Sequence, residues 1–250
     1  MQSDDSRLSR IETLWSVVKQ ASDQNQTDAQ SAQQQLLNQY GGAVRRYLLA
    51  SLKDGEAADE VYQEFALRFV RGDFRNADPE KGRFRGFVKT VIFRLIVDYH
   101  RRCKRERYDE LSDAHDPLTS PEDEREKEFT ASWRSELLGL AWKLLQDRES
   151  STGKPYYTVL RFRADHPEMR SPDIAKELSI RLGREINAGN ARVLVHRSRD
   201  MFADVLLETV QHSLVNNTDD ELEQELVSLD LLNYCKPAIE RRRQILKSGR

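Results

Sequence analysis

Two cysteines in 250 residues, Cys103 and Cys235, are too few and too far apart for a disulfide framework, and neither belongs to a Cys-x-x-Cys pair. That usage fits a reducing cytoplasm. The five histidines, His100, His115, His166, His196 and His212, show no His-Glu-x-x-His or other ligand spacing, so no metal site is expected. No apolar run approaches the roughly 20 residues needed to cross a bilayer, and the opening MQSDDSRLSR is polar and acidic, unlike a signal peptide. There is no phosphate-cradling glycine loop and no nucleophile elbow. The carboxylates sit mostly in charge runs of the kind that cover solvated faces. These absences argue against a secreted disulfide scaffold, a membrane span and the commoner enzyme classes. No catalytic residue and no cofactor is expected.

With 38% apolar and 33% charged residues the chain can bury a core under a strongly charged surface. Only 11 Gly and 7 Pro, against abundant Leu, Ala, Glu, Arg and Gln, favour helix, and nothing alternates like a series of strands. The expected fold is all-α. Ile11, Leu14, Trp15 and Val18 keep helical spacing in Leu8–Lys19, before a polar connector or weak helix over Ser22–Gln35. Leu37, Tyr40, Val44, Tyr47 and Leu48 mark a helix over Leu36–Leu52, with Gly41-Gly42 at its centre. Val61, Phe65, Leu67 and Phe69 mark another over Glu56–Arg71.

RGDFRNADPEKGRFRG reads as a loop. Val88, Val91, Ile92, Leu95, Ile96 and Tyr99 then form the cleanest helical stripe in the chain, and Arg94, Asp98, Arg101 and Arg105 share an exposed face of that helix.

Charge is distributed very unevenly for a chain of net charge −2. Gly82 to Arg107, GRFRGFVKTVIFRLIVDYHRRCKRER, holds nine Lys/Arg against two acids, 9 − 2 = +7; Tyr108 to Glu128 holds nine acids against two bases, 2 − 9 = −7. A basic helix face with aromatics beside it suits nucleic acid: the cations neutralise phosphates and a ring can stack on an unpaired base. A solvated face would look the same. Phe87, one turn before Val91, fits the core; Phe84, between two arginines, fits either role. The acidic block reads as a linker, or as a mimic of nucleic acid that occupies a basic channel.

Beyond it, a helical block from Phe129 to Gln146 has Trp133, Leu137, Leu140, Leu144 and Leu145 as core candidates, and another helix starts over Tyr156–Phe162. Ser171-Pro172-Asp173 looks like a capped helix start, followed by Ile174, Ala175 and Leu178. After a turn containing Gly183, Asn187 is placed to cap a helix whose inward positions are Ala191, Leu194, Val195, Ser198, Phe202 and Val205. Its other face carries Asn190, Arg192, His196, Arg197 and Arg199, side-chain types that read base edges or bind phosphate. This is a helix–turn–helix pattern with a DNA-reading second helix; a helical hairpin with a solvated face gives the same pattern.

Two stretches resemble a known family. EAADEVYQEFALRFVRG with the following GRFRGFVKTVIFRLIVDYHRRCKRER is similar to region 2 of the extracytoplasmic-function (ECF) sigma factors, of the sigma-70 family. SPDIAKELSIRLGREINAGNARVLVHRSRDMFADVLLETV resembles their region 4. The resemblance implies two helical domains joined by an acidic linker: an N-terminal helix and connector (1–35), region 2 (36–107), linker (108–128), region 4 (129–210) and a C-terminal extension (211–250).

It further implies a promoter-specificity subunit that binds core RNA polymerase at the clamp helices of the largest subunit and at the flap, opens promoter DNA and starts transcription. Asp59, Glu60, Gln63 and Glu64 would grip the clamp. Arg83, Phe84, Arg85, Lys89, Arg94, Arg101, Arg102, Lys104 and Arg105 would bind the −10 element, duplex and melted. Asn187, Asn190, Arg192, His196, Arg197 and Arg199 would read the −35 element. The family also admits an anti-sigma factor as a partner.

Two departures stand out: Phe93-Arg94 replaces the family's frequent Arg-Asn, and residues 181–186 lengthen the helix–turn–helix turn. The alternative is a polymerase-docking or stand-alone helix–turn–helix regulator that does not open DNA. The extension, acidic over Asp219–Glu225 and basic at its end, is expected to pair its halves with each other or to dock on region 4.

Overall fold

A computed structural model describes residues 26–71, 73–74, 83–106, 122–214 and 218–248. Among them all regular structure is helical: α1 (Gln26–Leu52), α2 (Gly55–Arg71), α3 (Phe84–Glu106), α4 (Glu122–Thr152), α5 (Tyr156–Asp165), α6 (Ser171–Leu182), α7 (Ala188–Gln211), α8 (Asp219–Ser228) and α9 (Leu232–Ser248). The chain forms two compact units. The first takes its described residues up to Glu136 together with Val210–Leu229, and the second takes Leu137–Thr209 and Asp230 onward. The helix expected over Leu8–Lys19 lies outside the described residues.

In the first unit, α1 includes most of the stretch read as a polar connector and passes through Gly41-Gly42 without a break. Both glycines allow close approach: a Cβ at Gly41 would meet the Tyr62 hydroxyl, and one at Gly42 the Glu136 carboxylate. Asp54 caps α2, its Oδ1 accepting from the N–H groups of Glu56 and Ala57 at 2.9 and 3.2 Å. The α2 stripe is Ala57, Ala58, Val61, Phe65 and Phe69; Leu67 lies outside it and is exposed. α3 starts at Phe84, inside the stretch that the sequence reads as a loop.

The core of this unit is aromatic. Trp133 stacks on Tyr40 at 4.8 Å between centroids, Phe129 meets Tyr47 edge-on at 5.1 Å, and Phe84 lies 6.0 and 6.1 Å from Tyr40 and Trp133. Such rings each remove a large apolar area from water and attract one another at these separations. Along α4 the buried stripe is Phe129, Trp133, Leu137, Ala141 and Leu145. This differs from the expected set in that Leu140 is only half-buried and Leu144 is exposed, because a spacing of four keeps the stripe on one side. Residues 122–128, read as the end of the linker, form the first turns of α4.

The second unit holds the remaining part of α4, α5, α6, most of α7, and α9. Val159 and Phe162 of α5, Ile174, Ala175 and Leu178 of α6, and Ile186 and Ala191 form one apolar cluster. Arg170, not Ser171, occupies the cap position of α6, and it makes no side-chain cap bond; Pro172 stands in the first turn as expected.

Candidate polymerase and nucleic-acid interfaces

In the first unit, α2 and α3 pack side by side and leave between them a groove of about 410 Å³. Glu60, Gln63 and Glu64 line it from α2, Arg102 and Arg105 from α3. Residues assigned to two partners by sequence therefore share one groove. Glu60 accepts a hydrogen bond from Arg102, and Glu64 accepts one from Arg68 at 2.7 Å. Asp59 faces the other neighbour, accepting two hydrogen bonds from Arg45 of α1 at 2.8 and 3.0 Å. These pairs are open to solvent, so each adds at most about 1 kcal/mol. Gln63 and Leu67 remain exposed between them.

The basic set divides in two. Arg94, Arg101, Lys104 and Arg105 are exposed along α3 with Asp98. Arg83, Arg85 and Lys89, at its start, are held by acids of the same unit. Arg83 donates to Glu225 at 2.6 Å and to Gln224 at 3.0 Å; Arg85 donates to Glu225 at 2.9 Å, to Thr130 at 3.0 Å and to Ser228 at 2.9 Å. Lys89 donates to Glu126.

Phe84 is completely enclosed, so of the two roles the sequence leaves open it takes up the core position in the free chain, not that of an exposed −10 element ring. As the first residue of α3 it points to the same side as Val88 and Ile92, into the Tyr40–Trp133 aromatics. Phe87 is half-buried and packs edge-on against Phe74 at 5.4 Å.

In the second unit, α6 ends at Gly183 in the left-handed region (φ 61°), a conformation that costs glycine little. The Ser179 hydroxyl donates to the Ala175 carbonyl at 2.7 Å and accepts from the Ile186 N–H at 2.9 Å, fastening the long turn back onto α6. Sequence reasoning missed Ser179, since a hydroxyl in mid-helix gives no local sign of its partner. Asn187 caps α7, its Oδ1 accepting from the Asn190 N–H at 2.8 Å.

Asn190, Arg192, His196, Arg197 and Arg199 are exposed. Arg192, His196 and Arg199 border a shallow groove of about 210 Å³ beside Ser171, while Arg197 does not. Val193, also missed, is an apolar side chain 47% exposed among these polar ones.

The C-terminal extension makes a contact in each unit. The Glu225 carboxylate of α8 takes Arg83 and Arg85 as partners instead of the basic tail. On α9, Arg241 pairs with Asp200 and Asp204 of α7 at 2.8 and 3.2 Å, and Tyr234 packs on Phe202 at 5.9 Å. Both cysteines are free thiols, and burial pushes Cys235 up to about 12. Among the described residues no cluster of His, Cys, Asp and Glu could hold a metal ion, and no helix is long and apolar enough to cross a membrane.

Comparison with curated proteins and with solved structures finds no match. Residues 36–106 match the family model described as Sigma-70 region 2, a segment that runs from the first buried leucine of α1 to the end of α3 and carries the groove. That segment is less than a third of the chain; over it the chain is similar to Sigma-70 region 2, which supports a sigma-factor-like role in promoter recognition and transcription initiation.

Proposed function

We propose that the protein is an ECF-type sigma factor that brings core RNA polymerase to promoters and opens them. The observation that carries this is the Sigma-70 region 2 match laid over the α2–α3 pair, whose groove presents acids from one helix and arginines from the other. In this reading Asp59, Glu60, Gln63 and Glu64 meet the clamp helices of the largest subunit. Arg94, Arg101, Arg102, Lys104 and Arg105 take the phosphates of the −10 element, with Arg83, Arg85 and Lys89 available only when their acidic partners release them. Phe84 belongs to the core.

The second unit acts as region 4. Asn190, Arg192, His196, Arg197 and Arg199 enter the major groove of the −35 element, positioned by the Asn187 cap, and Val193 offers an apolar surface to a thymine methyl. Residues 108–121 act as the connector and residues 211–250 as an extension particular to this chain.

The test is co-elution with sigma-free core polymerase. The wild-type chain is expected to co-elute, and Asp59→Ala/Gln63→Ala to lose most of that binding while keeping its helical content. Undiminished binding by the double variant would remove this surface from the interface. A second reading, a docking regulator that leaves DNA closed, draws on the occupied state of Arg83, Arg85 and Lys89. Permanganate-reactive thymines in a complex of polymerase, this chain and promoter would exclude it.

A further inference from the structure

The acid that holds Arg83 and Arg85 comes from about 140 residues away in sequence, on a helix outside the segment that matches region 2. Glu225 is 2% exposed, and its two carboxylate oxygens divide between two guanidinium groups, Arg83 at 33% and Arg85 at 11% exposure. Around it α8 buries Leu222 and Leu226, followed by Leu229, whose carbonyl accepts from Arg134 at 3.3 Å. These leucines give the helix an apolar anchor that is independent of its charge. A buried ion pair seldom improves on apolar packing in stability, and its best-attested use is to set a register or a switch. Here it places a carboxylate on two arginines that stand at the start of the basic helix, where a nucleic-acid phosphate would make the same hydrogen bonds.

We infer that α8 is a built-in competitor for the phosphate backbone of single-stranded promoter DNA: Glu225 occupies Arg83 and Arg85 in the free chain and gives them up when DNA takes its place. This rests on the proposed function only in naming the DNA as a promoter strand. The masking itself is a property of the free chain. Glu126, which holds Lys89 and approaches Arg85 to 3.7 Å, extends the same cover from α4.

The experiment measures binding of the full-length chain to a fluorescein-labelled single-stranded 20-mer of mixed sequence across a salt series. Each phosphate-neutralising cation adds about 0.7 to the slope of log affinity against log salt on a single strand. Glu225→Gln keeps the shape of that side chain and removes its charge. It should bind more tightly than wild type at each salt concentration with the same slope, because both arginines meet phosphates in either complex and only wild type must first break its ion pairs. Adding Arg83→Gln/Arg85→Gln to that variant should cancel the gain and lower the slope by about 1.4. Equal affinity for wild type and Glu225→Gln would overturn the inference.

A second measurement needs no variant. Amide hydrogen exchange of Leu222–Ser228 in the wild-type chain should quicken when the 20-mer is bound at saturation. Unchanged protection of α8 with DNA bound would also overturn the inference, and this holds if the variants fail to fold. Failure of the sigma reading shows separately, as absence of core-polymerase binding. A wild-type chain that binds polymerase but shows no gain from Glu225→Gln refutes the masking alone.

Discussion

Replacing Phe84 with alanine removes a ring with no solvent exposure whose centroid lies 6.0 Å from Tyr40, 6.1 Å from Trp133 and 6.4 Å from Phe87. Buried Phe→Ala changes cost about 3–5 kcal/mol, combining lost transfer energy with the cavity left behind. The three ring neighbours place this site towards the upper end, because aromatic pairs contribute about 0.5–1.5 kcal/mol beyond area. Domains are stable by about 5–15 kcal/mol in total, so the first unit would become marginal. With Trp15 and Trp142 changed to Phe, Trp133 is the one remaining tryptophan and reports this unit in urea unfolding. At a slope of about 2 kcal/mol per molar urea, a loss of about 4 kcal/mol lowers the midpoint by about 2 M. Phe84→Leu, which keeps much of the volume, should recover more than half of that loss. A midpoint shift below about 0.5 M for Phe84→Ala, together with loss of promoter opening, would refute the packing argument and make the ring a base-stacking residue after all.

Asn187→Ala removes the α7 cap and should destabilise the second unit by about 1 kcal/mol, while Asn187→Asp, which still accepts from the Asn190 N–H, should cost much less; thermal unfolding of the pair checks this. Ser179→Ala leaves the Ile186 N–H without its partner, costing about 1–3 kcal/mol, and should speed proteolytic nicking of residues 183–187. Burial raises the Cys235 thiol from 9.0 to about 12, so the folded chain keeps a proton that the unfolded chain loses above pH 9. The contribution of Cys235 to stability is therefore whole below pH 9 and falls as pH rises towards 12; Cys235→Ala should flatten the pH dependence of unfolding in that window. For the same reason Cys103, which is half-buried, should react with a thiol reagent at pH 8 well before Cys235.

The helices were legible in the sequence where one element's own period decides the matter. Val88 to Tyr99 keeps a stripe at three and four residues, and α3 carries it on its buried side; Asn187 caps because its acceptor needs only an N–H three residues on. The helix start at Ser171 was read from the same kind of local cue, yet the cap falls one residue earlier, a shift that capping preference alone does not resolve. Other features are set by groups distant in sequence. Phe84 has arginines on both sides, and only the placement of Tyr40 and Trp133 turns it inward. Residues 122–128 carry the composition of a linker, but Glu126 reaches Lys89 and Arg85 from a helix that Phe129 and Trp133 anchor in the aromatic core. The acidic and basic halves of the C-terminal extension are plain as charge runs, whereas their partners are not: Glu225 finds Arg83 and Arg85, and Arg241 finds Asp200 and Asp204. The sequence by itself determined the helices, the charge blocks and the region 2 resemblance, since periodicity and composition are properties of short stretches. Only the tertiary structure decided which cations are covered and by what, because an ion pair depends on a distance of about 3 Å that the separation along the chain does not encode.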